Sequence, residues 1–239
     1  VRLTGTGVRA KLERRIVGWV KRYLPGGLFH DTPVAVGDFL TLLRNGADWG
    51  TYIPVRAGGT RRETLPEIFN HTLGKRFTRY AERSIPESWI ARLPNGKVYG
   101  KDTNLIMSSG NLLSTDLSRE FGAYGGKPVS EGDLFTRKLH YGRSEHLKGT
   151  TAVITTKGHA NFHHWNYDCL PRLQMLREAG LLDQVDRFLI RHQGQRFQLE
   201  SLARMGLPLD RIHALPEEDM LITSDVLLVP SLPSVLGTV

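Results

Sequence analysis

The chain holds a single cysteine, Cys169, among 239 residues. One thiol closes no disulfide within the chain, which excludes a disulfide-stapled secreted scaffold. No apolar run is long enough to span a bilayer. Aromatic residues make up only 8%, and no motif interleaves them with basic residues, so nucleic acid is not expected as a partner. There is no GxGxxG fingerprint, no P-loop, no HExxH pair, no internal repeat and no low-complexity tract. A signal peptide is lacking, as is an initiating Met; opening at Val1, the chain reads as a fragment or a processed product.

What is present is ordinary globular composition, 40% hydrophobic and 23% charged, with a basic excess of +8 and a pI near 9.8. That balance suits nucleic acid, an anionic membrane surface or phosphate-bearing substrates. Much of the basic charge sits in Val8–Leu24. There Val8, Leu12, Ile16, Trp19, Val20 and Tyr23 recur at helical spacing, and Arg9, Lys11, Arg14, Arg15, Lys21 and Arg22 face the single acid Glu13. This predicts an amphipathic helix stopped by Pro25-Gly26-Gly27, lying either on an anionic membrane or against the domain.

Residues 1–30 thus form a basic N-terminal helix region, and 31–149 a mixed region. Within the latter, short helical patterns fall at Val36–Leu43 and Leu65–Leu73. Trp89–Leu93, Lys97–Tyr99, Asn104–Met107 and Asn111–Leu113 are short apolar runs, broken by Pro94-Asn95-Gly96, Lys101-Asp102 and Ser109-Gly110-Asn111. They predict a β-meander. The glycines of Gly122–Gly126 read as turn residues. Residues 150–239 alternate: strand Thr151–Thr156, a helical stretch to Gly180, strand Arg187–Arg191, helix Phe197–Met205, then strands Arg211–Ala214 and Val226–Val229. Strands alternating with helices predict an α/β fold with a parallel sheet of βαβ units.

Chemistry concentrates in Gly158–Leu173, GHANFHHWNYDCLPRL, which packs three histidines, Asn161, a Trp, an Asp and an Arg into sixteen positions. On a helix over Asn161–Ala179, Asn161, His164, Asp168 and Arg172 fall within about 80° of one another. His164 and Asp168 are spaced to meet, and a carboxylate beside a histidine raises its basicity, as a general base requires. Arg172 can clamp a phosphate or carboxylate. Phe162, Cys169, Leu173 and Leu176 make the flanking apolar side and are expected to face the core. Pro171 predicts a kink, or a helix that ends and restarts there. Two alternatives stand beside this. His164 and Asp168 can be a purely structural pair, with Trp165 in the core, or His159, His163 and Asp168 can hold a metal in a hydrolase.

The stretch resembles the signature of glycosyltransferase family 61, also seen in capsular polysaccharide biosynthesis proteins. The likeness rests on Asn161-Phe162-His163-His164-Trp165, Asp168 and Leu170-Pro171-Arg172-Leu173. Phe197–Leu202, Met205-Gly206-Leu207, Ser224-Asp225 and Leu227–Pro233 follow in similar order. Ala91-Arg92-Leu93 and Lys97–Gly100 are similar upstream, so the likeness covers about Trp89–Leu236. Asn166 and Tyr167 depart from it, standing where the family often has apolar residues. The resemblance implies the N-terminal, acceptor-side half of a two-domain GT-B architecture with a Rossmann-like sheet. The donor-binding domain is then absent, and these 239 residues alone are expected to be inactive. It implies an inverting enzyme moving a sugar from a nucleotide-sugar donor to a glycan or polysaccharide acceptor hydroxyl. No cofactor or obligatory metal is implied, in keeping with the lack of a DxD motif. On this reading His164 and Asp168 are catalytic, and Asn161, Trp165 and Arg172 bind substrate. A cytoplasmic site, peripheral on the inner face of the membrane, is expected. A non-catalytic membrane-surface domain is the alternative.

Overall fold

A computed structural model describes residues 32–65, 67, 71–72, 74, 78, 81–100, 105–122, 125–128, 141, 143–156, 158–191, 194–215 and 218–233. The predicted basic helix Val8–Leu24 and most of Leu65–Leu73 lie outside them, as does the Lys101-Asp102 turn. Among the described residues no helix is long and apolar enough to cross a membrane.

The first half of the chain gives β1 (Ala35–Gly37), helix α1 (Phe39–Arg44), β2 (Thr51–Arg56), β3 (Gly59–Arg62), β4 (Glu82–Ile85), β5 (Ser88–Pro94), β6 (Lys97–Tyr99), β7 (Leu105–Met107), β8 (Leu112–Ser114), β9 (Arg119–Gly122) and β10 (Gly125–Pro128). The second half gives β11 (Ser144–Val153), helix α2, β12 (Arg187–Ile190), helix α3 (Arg196–Arg204), β13 (Ile212–Ala214) and β14 (Leu221–Pro230). Helix α2 has three consecutive parts: an α-turn Phe162–His164, a π-turn Trp165–Cys169 and an α-helix Leu170–Glu178.

Among the described residues one ten-stranded sheet runs β1-β8-β7-β6-β14-β11-β12-β13, with β5 also beside β14 and β2 beside β5. The hairpins β3–β4 and β9–β10 stand apart from it. The expected parallel unit is present: β13, β12, β11 and β14 are parallel neighbours, joined through α2 and α3. Chain order across them is third, second, first, fourth, as in half of a doubly wound α/β fold.

The whole sheet is mixed rather than parallel, because the free edge of β14 takes antiparallel partners. Leu221–Thr223 pairs with β6 and Val226–Pro230 with β5. The expected turn at Pro94-Asn95-Gly96 is therefore a bulge, with β5 and β6 end to end along one strand. Asn95 takes a positive φ of 51°, yet its N–H still donates to Asp225 O at 2.9 Å, and Ser224 N–H to Gly96 O at 3.2 Å. The chain steps out of the ladder and back without reversing. A Cβ on Gly96 would lie 2.8 Å from Leu93 Cβ and Leu227 Cβ, so only glycine fits. The turn at Ser109-Gly110-Asn111 does reverse the chain, pairing β7 with β8. The meander strands thus extend the same sheet, and residue 150 lies inside β11, just past a register shift between Leu147 and Thr150.

Both sheet faces are buried, which the near-continuous apolar strands require. One core joins Ile90, Ala152, Ile154, Phe188 and Leu228 to Trp165, Cys169, Leu173 and Leu176 of α2 and Leu202 of α3. The other joins Ala91, Leu93, Val153, Leu189, Leu227 and Val229 to Phe39 and Leu43 of α1. The start of α1 is held by Asp116, whose carboxylate accepts from the backbone N–H of Phe39 and Leu40.

Arg56 of β2 grips Glu178 at the end of α2, its Nε donating to Oε2 at 2.7 Å. Hydrogen bonds from Arg56, then Gln174, hold the Glu178 carboxyl down at about 2. A depressed carboxylate adds stability above its unfolded pKa and loses it as pH falls through the folded one. The melting temperature of Glu178→Gln is expected to lie below that of the parent near neutrality, and the two to converge as pH falls from about 4.5 toward about 2. A gap that persists unchanged at the acid end contradicts this.

Candidate functional site at the start of helix α2

Beyond β11 the chain passes through Ile154-Thr155-Thr156 and turns at Gly158 before entering α2. This turn flanks the point where strand order reverses between β11 and β14, the place where open α/β sheets hold ligands. Asn161 caps the helix, its Oδ1 accepting from His163 N–H at 2.8 Å. The spacing of His164 and Asp168 delivers the expected pair: His164 Nδ1 lies 2.8 Å from Asp168 Oδ2. The His164 side chain is 31% exposed and that of Asp168 16%. The carboxylate fixes the imidazole tautomer and leaves proton-accepting chemistry to Nε2.

The imidazole rests on Gly158. That residue has a φ of +96°, and a Cβ there would lie 3.1 Å from two ring carbons of His164. Gly158→Ala is expected to cost about 1–2 kcal/mol in stability. It should also displace the ring enough to lower any His164-dependent turnover about 10-fold or more. Chemical denaturation and steady-state rates check the two effects separately, and a variant matching the parent in both contradicts this packing.

The π-turn explains how α2 passes Pro171. Leu170 N–H donates to Trp165 O, a five-residue step that widens the turn. The proline ring then has room against the preceding carbonyls, and Pro171 enters the first turn of the restarted α-helix. The extra residue also turns the second half of α2 relative to the first, so the expected four-residue stripe does not hold together. Arg172 is carried into the interior, 2% exposed. Its Nη1 donates to Thr155 O at 3.3 Å, and its Nε has no partner among the described residues. Burial lowers its pKa to about 10, against the opposing pull of Cys169 and Asp168. Phe162, expected in the core, is instead 65% exposed.

The family resemblance implied a substrate-binding role for Trp165. It is fully buried, and its indole N–H donates to Ser201 Oγ of α3 at 2.8 Å. Ser201 in turn donates to Gln198 O at 2.9 Å, and Gln198 Nε2 donates to His159 O at 3.0 Å. This relay ties the site loop, α2 and α3 together. Of the five candidate site residues, His164 and Asp168 meet at the surface, Asn161 caps the helix beside them, and Trp165 and Arg172 lie beneath.

Among the described residues no three His, Cys, Asp or Glu side chains converge to hold an ion. His159 is buried in the loop, while His163 is exposed on the helix. Cys169 is buried, and desolvation pushes its thiol up to about 11, so it is not a thiolate nucleophile near neutrality.

A second polar cluster lies at the bulge of β11, roughly 20 Å along the strand from the site. His146 Nδ1 is 2.9 Å from Thr223 Oγ1, and its Nε2 is 2.9 Å from Asp225 Oδ1. Asp225 Oδ2 accepts from Gly149 N–H at 2.8 Å. That backbone bond, then His146, holds the Asp225 carboxyl below its usual range. Each of its bonds joins β11 to β14, so it staples the irregular stretch of the ladder.

The chain matches no protein-family model, no curated protein and no solved structure. Sequence reasoning missed Gly158, Ser201 and Gln198. Gly158 carried a signal, a glycine directly after a strand and before a capped helix, whereas Gln198 and Ser201 stood in the family likeness with nothing to tie them to the site loop.

Proposed function

We propose that the chain is the acceptor-side part of an inverting glycosyltransferase, its parallel strands forming the first half of a GT-B arrangement. The observation that carries this reading is the His164–Asp168 pair, 2.8 Å apart, at the carboxyl ends of the parallel strands. In the proposed reaction the acceptor hydroxyl gives its proton to His164 Nε2 as its oxygen attacks the anomeric carbon of a nucleotide-sugar. The bond to the diphosphate breaks on the opposite face, and the nucleoside diphosphate leaves with that electron pair. Asp168 orients the imidazole and stabilises the imidazolium that forms. Buried Arg172 acts through its field on Asp168 and its bond to the Thr155 carbonyl. The sequence likeness to family 61 and the basic charge of the chain support a phosphate-bearing donor.

The test is a nucleotide-sugar panel offered with glycan acceptors to the complete gene product, reading nucleoside diphosphate release and product configuration by NMR. One donor is expected to be consumed, with the anomeric configuration inverted. Retention of configuration, or no release from any donor by the folded protein, overturns the reading.

A further inference from the structure

Beside the His164–Asp168 pair lies a feature that the transfer chemistry does not use. His163 and Tyr167, one turn apart on the outer face of α2, stack with ring centroids 4.6 Å apart and planes tilted by 35°. Among the described residues the exposed large hydrophobics are Val34, Ile85, Phe162, Tyr167 and Leu209. The two aromatic ones, Phe162 and Tyr167, both belong to this one stretch of helix. Phe162 packs edge-on against Phe197, ring centroids 5.3 Å apart. The His163 ring is 5.5 Å from that of His164.

We propose that His163 and Tyr167 form a stacking platform for a pyranose ring, the acceptor-sugar subsite of the transferase reading on which this inference rests. A sugar ring has an apolar face of C–H groups and a wet rim of hydroxyls. A platform with apolar ring faces and polar edges, the phenol hydroxyl and imidazole nitrogens, matches both at once. Mutual stacking fixes the two rings, so little rotamer freedom is lost on binding. A sugar lying on His163 has a hydroxyl within one ring's breadth of His164.

Size decides between a sugar and a protein partner. Three aromatic side chains offer on the order of a few hundred Å², well short of the roughly 800 Å² that each partner gives to a stable protein interface. Tyr167 is also a residue at which the chain departs from the family 61 pattern, so the platform belongs to this chain in particular.

The experiment is saturation-transfer NMR on the purified chain with methyl α- and β-glycosides of glucose, galactose, mannose, xylose and N-acetylglucosamine. At least one glycoside is expected to receive saturation on the C–H protons of one ring face. Tyr167→Ala should weaken that binding about 10-fold, and Tyr167→Phe, which keeps the ring, should not. Tyr167 is exposed, so neither change threatens the fold. Absence of transfer from every glycoside overturns the proposal, as does transfer that Tyr167→Ala leaves unchanged. A change in sedimentation caused by Tyr167→Ala, without any glycoside effect, would assign the rings to a protein contact and overturn it equally. Glycoside binding that persists when no donor is turned over would place the failure in the transfer chemistry, not in the platform.

Discussion

Replacing His164 with alanine is expected to lower turnover by about 10²–10⁴-fold, the span over which a positioned general base contributes. The loss should fall on kcat with KM little changed, because proton removal matters in the transition state and not in ground-state binding. The fold should tolerate the change. The side chain is 31% exposed, it sits on Gly158 and outside the apolar cores, and Asp168, to which it bonds, is itself partly open to water. Asp168→Asn should show a smaller loss with the same signature, since the amide still holds the ring but no longer stabilises an imidazolium. A structural pair gives the opposite pattern, with thermal stability falling and kcat, once folded protein is counted, unchanged. Melting curves run beside the kinetics separate the two.

The largest expected effect on stability is at Trp165. It is fully buried and packs with Leu173, Leu176, Phe188 and Leu202 in the core under α2. Its indole N–H anchors Ser201 of α3. Truncation to alanine should cost about 3–5 kcal/mol, the range for a buried large aromatic. For a chain of this size that lowers the melting temperature by about 10 °C or more. Trp165→Phe should recover most of it, losing one neutral hydrogen bond of about 1 kcal/mol and some volume. Were Trp165→Ala to melt within a degree or two of the parent, the α2–α3 relay would not be what holds the site loop.

Particular residues show where sequence reasoning reached and where it stopped. The parallel strands were legible at Thr151–Thr156, Arg187–Arg191 and Val226–Val229 because their apolar runs are largely buried, and at Arg211–Ala214, a partly buried edge strand, from the alternation of strand with helix. The same strands were cut short at their polar ends. Ser144–Leu147 and Leu221–Ser224 pair with one another beyond the reach of β12, where exposed Ser144, His146, Lys148 and Asp225 interrupt the apolar pattern. Pro94-Asn95-Gly96 has the composition of a turn, and only its bonds to Ser224 and Asp225 on β14 make it a bulge. The His164–Asp168 pairing was legible because residues four apart on a helix meet whether the turn is tight or slightly widened. The depth of Arg172 was not, since it depends on a π-turn whose single local sign is Pro171. The exposure of Phe162 and the burial of Trp165, three residues apart, are set by what α3 supplies, and helix periodicity does not report that.

The central claim, that His164 is the base of a sugar transfer, is tested most directly by chemical rescue. Nucleoside diphosphate release from the donor turned over by the parent protein would be measured for His164→Ala with increasing imidazole. The lost activity is expected to return in proportion to the unprotonated imidazole present, while Asp168→Asn gains nothing. Parent-like turnover by His164→Ala without imidazole would contradict it.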